Sequence, residues 1–154
     1  MTNYELLYQQ ATDHGVCVID DTPLPPPFRG LYTRTGEQAV IWICPQMTEP
    51  QRACVLAEEI GHHYTSYGDE RTMGYWQISQ QETRAIAKAI ELLLPWDKLR
   101  RILLRENGSR WELAEHLGVT EEFLRWALTY YQVKQPEAFA QLQHLLQQRC
   151  GWEG

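Results

Sequence analysis

One stretch of the sequence, residues 56–64, restricts the fold most, because its acids and imidazoles form a shared site only if the stretch is helical. It runs Leu-Ala-Glu-Glu-Ile-Gly-His-His-Tyr. One helical turn separates Glu58 from His62, so both side chains would leave one face of a helix, with Glu59 on the flank. This is the layout of H-E-x-x-H with glutamate in the first histidine position. In that motif two histidines hold zinc and the glutamate takes a proton from the attacking water.

A solvated, charged helix face is the alternative interpretation of these residues, and the neighbouring sequence favours a packed helix instead. Apolar side chains recur at steps of three and four beside the acid and imidazole face. These are Ala53, Leu56, Ala57, Ile60 and Tyr64. Residues 48–51, Thr-Glu-Pro-Gln, have the capping-box form that starts such a helix, and Gly68 lies where it is expected to stop.

Length and composition predict one folded domain. The chain has 154 residues, of which 44% are hydrophobic and 11% aromatic, and this composition argues against disorder. The formal net charge of -6 argues against attraction of the whole surface to nucleic acid or to an anionic membrane, although it leaves room for a local basic patch.

The cysteines and the start of the chain indicate the compartment. The four cysteines, Cys17, Cys44, Cys54 and Cys150, are widely spaced and form no C-x-x-C pair, so we expect free, mostly buried thiols rather than a zinc knuckle or a disulfide framework. The first residues lack the basic and apolar regions of a signal peptide, and no apolar run approaches the roughly 20 residues of a membrane span. These features predict a cytoplasmic protein.

The start of the chain predicts a helix, a strand and a stiff loop. Leucines and an alanine at helical spacing indicate a helix over residues 4–12, which Gly15 would end. The apolar run of residues 16–19 has strand length. Residues 20–27 contain four prolines and cannot form regular structure, so we expect an extended loop.

Two β-rich runs follow, residues 31–33 and 39–43, and the Thr-Gly-Glu sequence of residues 35–37 predicts a hairpin between them. The order of a helix, a small sheet of about three strands and then several helices predicts an α+β fold.

Glu82 is the candidate for a third ligand. Residues 79–95 are predicted to form a helix, and residues 69–78 a loop beside the site. Ala85 and Ala89 are small enough to let this helix pack closely on the first, and they put Glu82 on the packed side. An inward carboxylate needs a partner, and a cation is one solution. Glu82 is also three residues after a serine, so a capping-box role is the alternative.

Three blocks in this order resemble the ImmA/IrrE family of metallo-endopeptidases, and its phage-encoded branch most closely. They are residues 30–32 (Gly-Leu-Tyr), residues 56–63, and Glu-Thr-Arg-Ala at 82–85 running on to Pro95. The resemblance extends to about Tyr131. It implies that residues 1–154 form a single zincin-like metallopeptidase domain, with residues 95–154 as its helical C-terminal extension. The family is associated with cleavage of helix-turn-helix repressors in phages, mobile elements and stress responses.

The resemblance also implies a site. Glu58, His62 and Glu82 would hold Zn²⁺, and Glu59 would act as the catalytic acid and base. Glu58 departs from the histidine that family members commonly have, so the ligand set is more anionic, and a slower enzyme or a preference for Mn²⁺ is expected. His63 is a spare imidazole, which could replace a ligand, bind the oxyanion, or act as a hydrogen-bonded neighbour outside the coordination sphere.

The last third of the chain can also be interpreted as a DNA-binding region. Residues 111–124 have the helix, glycine-containing turn and helix of a DNA-binding helix-turn-helix. The second of these helices, however, begins with Glu121 and Glu122, where a reading helix faces phosphates and base edges. Residues 110–131 hold two arginines against four glutamates, which favours packing or protein contact. Residues 138–150 predict a final amphipathic helix.

Three hypotheses follow. The first is a zinc-dependent endopeptidase whose partner and substrate is a helix-turn-helix repressor, so that cleavage derepresses a phage or mobile element. A second keeps that partner but removes catalysis, so that the chain acts as an antirepressor by binding alone. The third is a DNA-binding regulator, although the acidic residues disfavour direct nucleic-acid binding. None of the three involves a membrane.

Overall fold

The structure is a computed structural model that describes residues 1–65, 74–106 and 108–150, with side chains except at residues 75–78 and 149–150. The chain divides into two compact units, residues 1–93 and 94–154. The elements of the first unit are α1 (Asn3–Asp13), β1 (Val16–Ile19), β2 (Gly30–Thr35), β3 (Gln38–Ile43), α2 (Glu49–Thr65) and α3 (Tyr75–Leu93). Those of the second are α4 (Trp96–Arg105), α5 (Arg110–Leu117), α6 (Glu121–Lys134) and α7 (Pro136–Cys150). The predicted α+β class and the helical last third are confirmed, while the single-domain organisation stays a prediction.

The sheet has three strands, which agrees with the predicted number, and their order is β1-β3-β2. β3 pairs in parallel with β1 and antiparallel with β2. The hairpin between β2 and β3 turns at Gly36, whose φ of +62° suits a two-residue loop. Along β3, Ala39, Ile41 and Ile43 are buried on one face, because alternate residues of a strand point to the same side.

Helix α2 packs on both the sheet and α3. The predicted capping box begins the helix, since the Gln51 amide donates to Thr48 Oγ1 at 3.3 Å and the Thr48 amide donates to Gln51 Oε1 at 3.0 Å. Its buried residues recur at helical spacing: Ala53, Cys54, Leu56, Ala57, Ile60 and Gly61. The residue predicted to stop the helix, Gly68, lies outside the described residues.

A partly buried polar cluster links α1, the segment after β1, and α2. The Tyr4 hydroxyl donates to Asp20 Oδ2 at 2.7 Å, and Arg52 Nη2 donates to the same oxygen at 3.1 Å. The Arg52 guanidinium also lies 4.2 Å from the centre of the Tyr4 ring. Burial, and then the Asp20 carboxylate, raise the pKa of Tyr4. The cluster positions the start of α2 against the N-terminal helix.

The second unit is built from four helices around leucines and aromatic rings. Capping serine and threonine residues begin α5 and α6: Ser109 Oγ accepts from the Glu112 amide and Thr120 Oγ1 from the Phe123 amide. Gly118 separates the two helices at a φ of +71°. Tyr131 belongs to this core, because it is buried and its hydroxyl donates to the Leu94 carbonyl at 2.7 Å.

Two expectations were wrong. Residues 75–78 were predicted as part of a loop, but α3 already begins at Tyr75; residues 69–73 of that loop lie outside the described part. The cysteines were expected to be mostly buried, yet Cys17 is exposed and Cys44 half-buried, while Cys54 is buried and the side chain of Cys150 lies outside the described part. Cys17 points outward because it alternates along β1 with Val16 and Val18, whose side chains enter the core.

None of the helices in the described part of the chain is both long and apolar enough to cross a membrane.

Candidate active site

A close contact between α2 and α3 forms the framework of the site. A Cβ atom added to Gly61 would collide with the backbone carbonyl oxygen of Ala85, so only glycine fits there. Ala85 and Ala89 are fully buried on the facing side of α3. Small side chains on both helices therefore let the two backbones approach, as the alanine spacing predicted. The residue that follows Gly61 and the residue one turn before Ala85 are thereby brought within reach of each other.

His62 and Glu82 meet between these helices. His62 Nε2 lies 3.3 Å from Glu82 Oε2, and the side chains are 14% and 47% exposed respectively. The hydrogen bond from His62 lowers the pKa of Glu82, burial partly opposes this, and the charge of a protonated His62 lowers it further. Glu82 lies inside α3, seven residues after its first residue, so it does not form the alternative capping box at the head of a helix.

Glu59 lies against the sheet. A Cβ atom added to Gly30, the first residue of β2, would come within 3.1 Å of Glu59 Oε1 and 2.5 Å of Val55 Cγ1. The absence of a side chain at Gly30 thus leaves room for the carboxylate beside the backbone of β2. Glu59 is half-buried and lies one turn from His62 on α2. The predicted catalytic acid is therefore held in a confined position between α2 and β2.

His63 contacts a tyrosine of the same strand. Its Nδ1 lies 2.9 Å from the Tyr32 hydroxyl, and the two rings meet edge to face with centroids 5.6 Å apart. Burial lowers the pKa of His63, and the positive charges of Arg34 and His14 lower it further. Of the three roles open to His63, the hydrogen-bonded neighbour matches this geometry.

The chemistry and spacing of the His62 and Glu82 donors fit a zinc ion. Imidazole nitrogen and carboxylate oxygen bind zinc at about 2.0–2.2 Å, and two such ligands on a tetrahedral ion lie about 3.3 Å apart. The observed separation is 3.3 Å. Glu58 is half-buried one turn before His62. Across the described residues, however, no three His, Cys, Asp or Glu side chains are grouped closely enough to hold an ion. The complete ligand set stays a prediction.

Two residues at the site, and one buried residue that precedes Glu82 in the chain, were not singled out from the sequence. Tyr32 looked like an ordinary strand residue, although it belongs to the Gly-Leu-Tyr block. Gly61 did carry a signal, because glycine inside a helix costs about 1 kcal/mol relative to alanine and is tolerated where another backbone approaches. Gln81 is 1% exposed beside Glu82 and has no sequence signal that distinguishes it from a solvated glutamine.

Comparison with known proteins gives one match. The sequence matches the Peptidase_M78 family, described as the IrrE N-terminal-like domain, over residues 11–129. No curated protein and no solved structure gives a significant match. The matched region includes the sheet, α2, α3 and every residue of the candidate site.

Proposed function

Because the chain belongs to the IrrE N-terminal-like domain family of peptidases, we propose that it is a zinc-dependent endopeptidase that cleaves a helix-turn-helix transcriptional repressor. The family match supports a peptidase acting on a protein. The metal and the repressor are the parts that we add. The contact between His62 and Glu82 is the observation that carries the metal assignment, since it joins two helices through two zinc-type donors at a ligand-like separation.

Each residue then has a defined task. His62, Glu82 and Glu58 would hold the ion, which supplies Lewis acidity that polarises the scissile carbonyl and lowers the pKa of water. Glu59, confined beside Gly30, takes a proton from the water that attacks the carbonyl carbon and later delivers it to the leaving amine nitrogen. Tyr32 orients the His63 ring through their hydrogen bond, and His63 lies one helical turn after Glu59 on α2.

A repressor is the proposed substrate because the sequence resembles a family associated with repressor cleavage. The second candidate function keeps this partner without catalysis. It is favoured by Glu58, because a carboxylate in the usual histidine position makes the donor set harder and more anionic than two histidines and one glutamate. In that case the chain would relieve repression by binding alone.

The DNA-binding candidate has one structural feature in its favour. Helices α5 and α6 form the capped hairpin of a helix-turn-helix, with Gly118 at the turn. Against it, Glu121 and Glu122 are exposed at the start of α6, where phosphates would approach. We therefore expect no electrophoretic shift of duplex DNA at moderate salt, and a clear shift would favour this candidate.

The first experiment measures metal and cleavage together. Protein purified without added metal is examined by elemental analysis and then incubated with the repressor encoded beside its gene. We expect zinc near one ion per chain and a cleaved repressor. Bound repressor that stays intact, with no metal in the protein, would instead support the antirepressor.

Substitution of Glu59 separates catalysis from metal binding. Glu59→Gln removes the proton acceptor but keeps the shape, so zinc should remain bound while cleavage falls by about 100-fold or more. Glu91→Gln, an exposed acid on α3, is the control and should retain full activity. Normal cleavage by Glu59→Gln would rule out the mechanism.

Substitution of the ligands should remove the metal itself. His62→Ala and Glu82→Ala each delete one zinc donor, so elemental analysis should find little zinc in either protein. His144→Ala, an exposed histidine on α7, should keep its zinc. Glu58→His should bind zinc more tightly than the natural chain, because imidazole is the ligand that Glu58 replaces. An unchanged affinity would show that Glu58 is not a ligand.

A further inference from the structure

Helix α4 concentrates positive charge in a chain that is acidic overall. Its ten residues include Lys98, Arg100, Arg101 and Arg105 against a single acid, Asp97. The whole chain carries a formal charge of -6. Sequence composition alone left room for such a local basic patch, and the structure places it on one helix of the second unit.

The exposed side of α4 has a shallow depression between its basic side chains. The depression has a volume of about 480 Å³ and is lined by Asp97, Arg100, Arg101, Leu104 and Arg105. The three arginines are exposed, whereas Leu104 is half-buried. These positions are three and four residues apart, so they share one face of the helix. The face therefore combines three cations with one acid and one partly exposed leucine.

Two of the cations on this face, Arg100 and Arg101, have no close carboxylate among the described residues. Within the described residues, no carboxylate oxygen lies within 4.0 Å of the Arg100 or Arg101 guanidinium. Arg105 Nε is 3.8 Å from Glu106 Oε1, a long contact. Burial lowers the pKa of Lys98 and the charge of Arg101 lowers it further. An anionic partner would be attracted to the exposed Arg100 and Arg101 side chains.

We propose that the α4 face binds a short acidic segment of a partner protein, with carboxylates on Arg100 and Arg101 and an apolar side chain over Leu104. A planar guanidinium suits a carboxylate, which it can bind with two parallel hydrogen bonds. The partner helix or strand needs only a few residues, because ten helical residues span about 15 Å. This inference is independent of the metal and of proteolysis.

Charge distribution favours an acidic peptide over nucleic acid. Duplex DNA carries one negative charge per about 1.7 Å and would extend beyond a single short helix. Helices α5 and α6 of the same unit expose four carboxylates, which repel a long polyanion. They are Glu112, Glu115, Glu121 and Glu122. A short segment with an apolar anchor matches both the length of the basic face and the half-buried Leu104.

The test uses the full chain and a fluorescent synthetic peptide of about ten residues, long enough to match α4, that contains glutamates and two leucines one helical turn apart. Fluorescence anisotropy should show binding that weakens as salt rises, because the Debye length falls from about 10 Å at 0.1 M to about 3 Å at 1 M. The double variant Arg100→Glu and Arg101→Glu should bind at least about tenfold more weakly.

A matched control makes the same change in net charge on a different helix. Arg125→Glu with Lys134→Glu reverses two exposed cations on α6, and its affinity should stay within about twofold of the natural chain, because neither residue lines the depression on α4. An equal loss in both double variants would overturn the proposal, as would no peptide binding at all.

Further measurements check that the α4 variant is folded and that the peptide binds through its leucines. Circular dichroism should show that the α4 variant unfolds like the natural chain, and Arg100→Gln with Arg101→Gln repeats the test without introducing acids. Replacing the leucines of the peptide by serine should weaken binding, and unchanged affinity would overturn the role of Leu104. Tighter binding of duplex DNA than of the peptide at 0.15 M salt would overturn the choice of partner.

Discussion

The sequence marked two helix pairs as functional, α2 with α3 and α5 with α6. The pairs have similar local sequence features but differ in how closely their helices pack. Each includes a helix that begins with a capping box and carries exposed or half-buried acids. In the first pair Gly61 lies against the Ala85 carbonyl, and His62 and Glu82 meet between the helices. In the second pair the acids at the start of α6 point to solvent. Close backbone approach, rather than the presence of charged residues, distinguishes a site from a solvated surface.

The two units also differ in charge. Residues 1–93 contain six Lys and Arg against twelve Asp and Glu, whereas residues 94–154 contain eight of each. The whole net charge of -6 therefore belongs to the unit with the candidate active site. A cation would be attracted to that unit, while the neutral unit presents a basic face on α4.

The largest expected effect is on the free energy of unfolding, when the glycine of each helix pair is replaced by alanine. Gly61→Ala forces a methyl group into the Ala85 backbone and should cost about 3 kcal/mol or more in the free energy of unfolding, because the helices must separate. Gly118→Ala places alanine in the left-handed region and should cost about 1–2 kcal/mol. Chemical unfolding measures both. Equal costs would show that α2 and α3 are not in close contact.

The helix caps should not distinguish the two pairs. Thr48→Ala at α2 and Thr120→Ala at α6 each remove one hydrogen bond to an orphan amide, so each should cost about 1 kcal/mol. The same unfolding assay measures both variants, with Thr→Ser substitutions as controls that keep the hydroxyl. A much larger cost at Thr48 would mean that the cap contributes to the site and not only to its helix.

The smallest expected effect is a pH dependence of stability that comes from the α2 and α3 pair. The pKa of Glu82 lies below its ordinary value of 4.5 in the folded chain, so its contribution to stability is present above about pH 4.5 and is lost as the pH falls through the folded pKa. Because the side chain is 47% exposed, screening should keep the contribution under about 1 kcal/mol.

The measurement compares acid unfolding of the metal-free natural chain with that of Glu82→Gln. The variant should lose this part of the pH dependence, whereas Glu91→Gln on the same helix should keep it. Identical acid unfolding of all three proteins would contradict a hydrogen bond between His62 and Glu82 in solution.

Local patterns predicted most of the first unit. The bounds of β1, the hairpin around Gly36, and the capping residue of α2 were all confirmed, because each depends on backbone preferences within a few residues. The start of α3 was missed, because Ser79 and Glu82 form a capping pattern that is also compatible with the interior of a helix. Gly74 does lie outside the helix, as expected of a loop residue, but the residues directly after it already belong to α3.

The sequence by itself determined which residues share a helix face, since 3.6 residues per turn places Glu58 and His62 on one side whatever surrounds them. It also determined the caps and the turn of the hairpin. Only the tertiary structure decided which groups meet: Glu82 with His62, Tyr32 with His63, and Glu59 with the backbone at Gly30. The physical reason is that helical periodicity acts over a few residues, whereas such contacts depend on how closely separate elements approach, and here small residues set that distance.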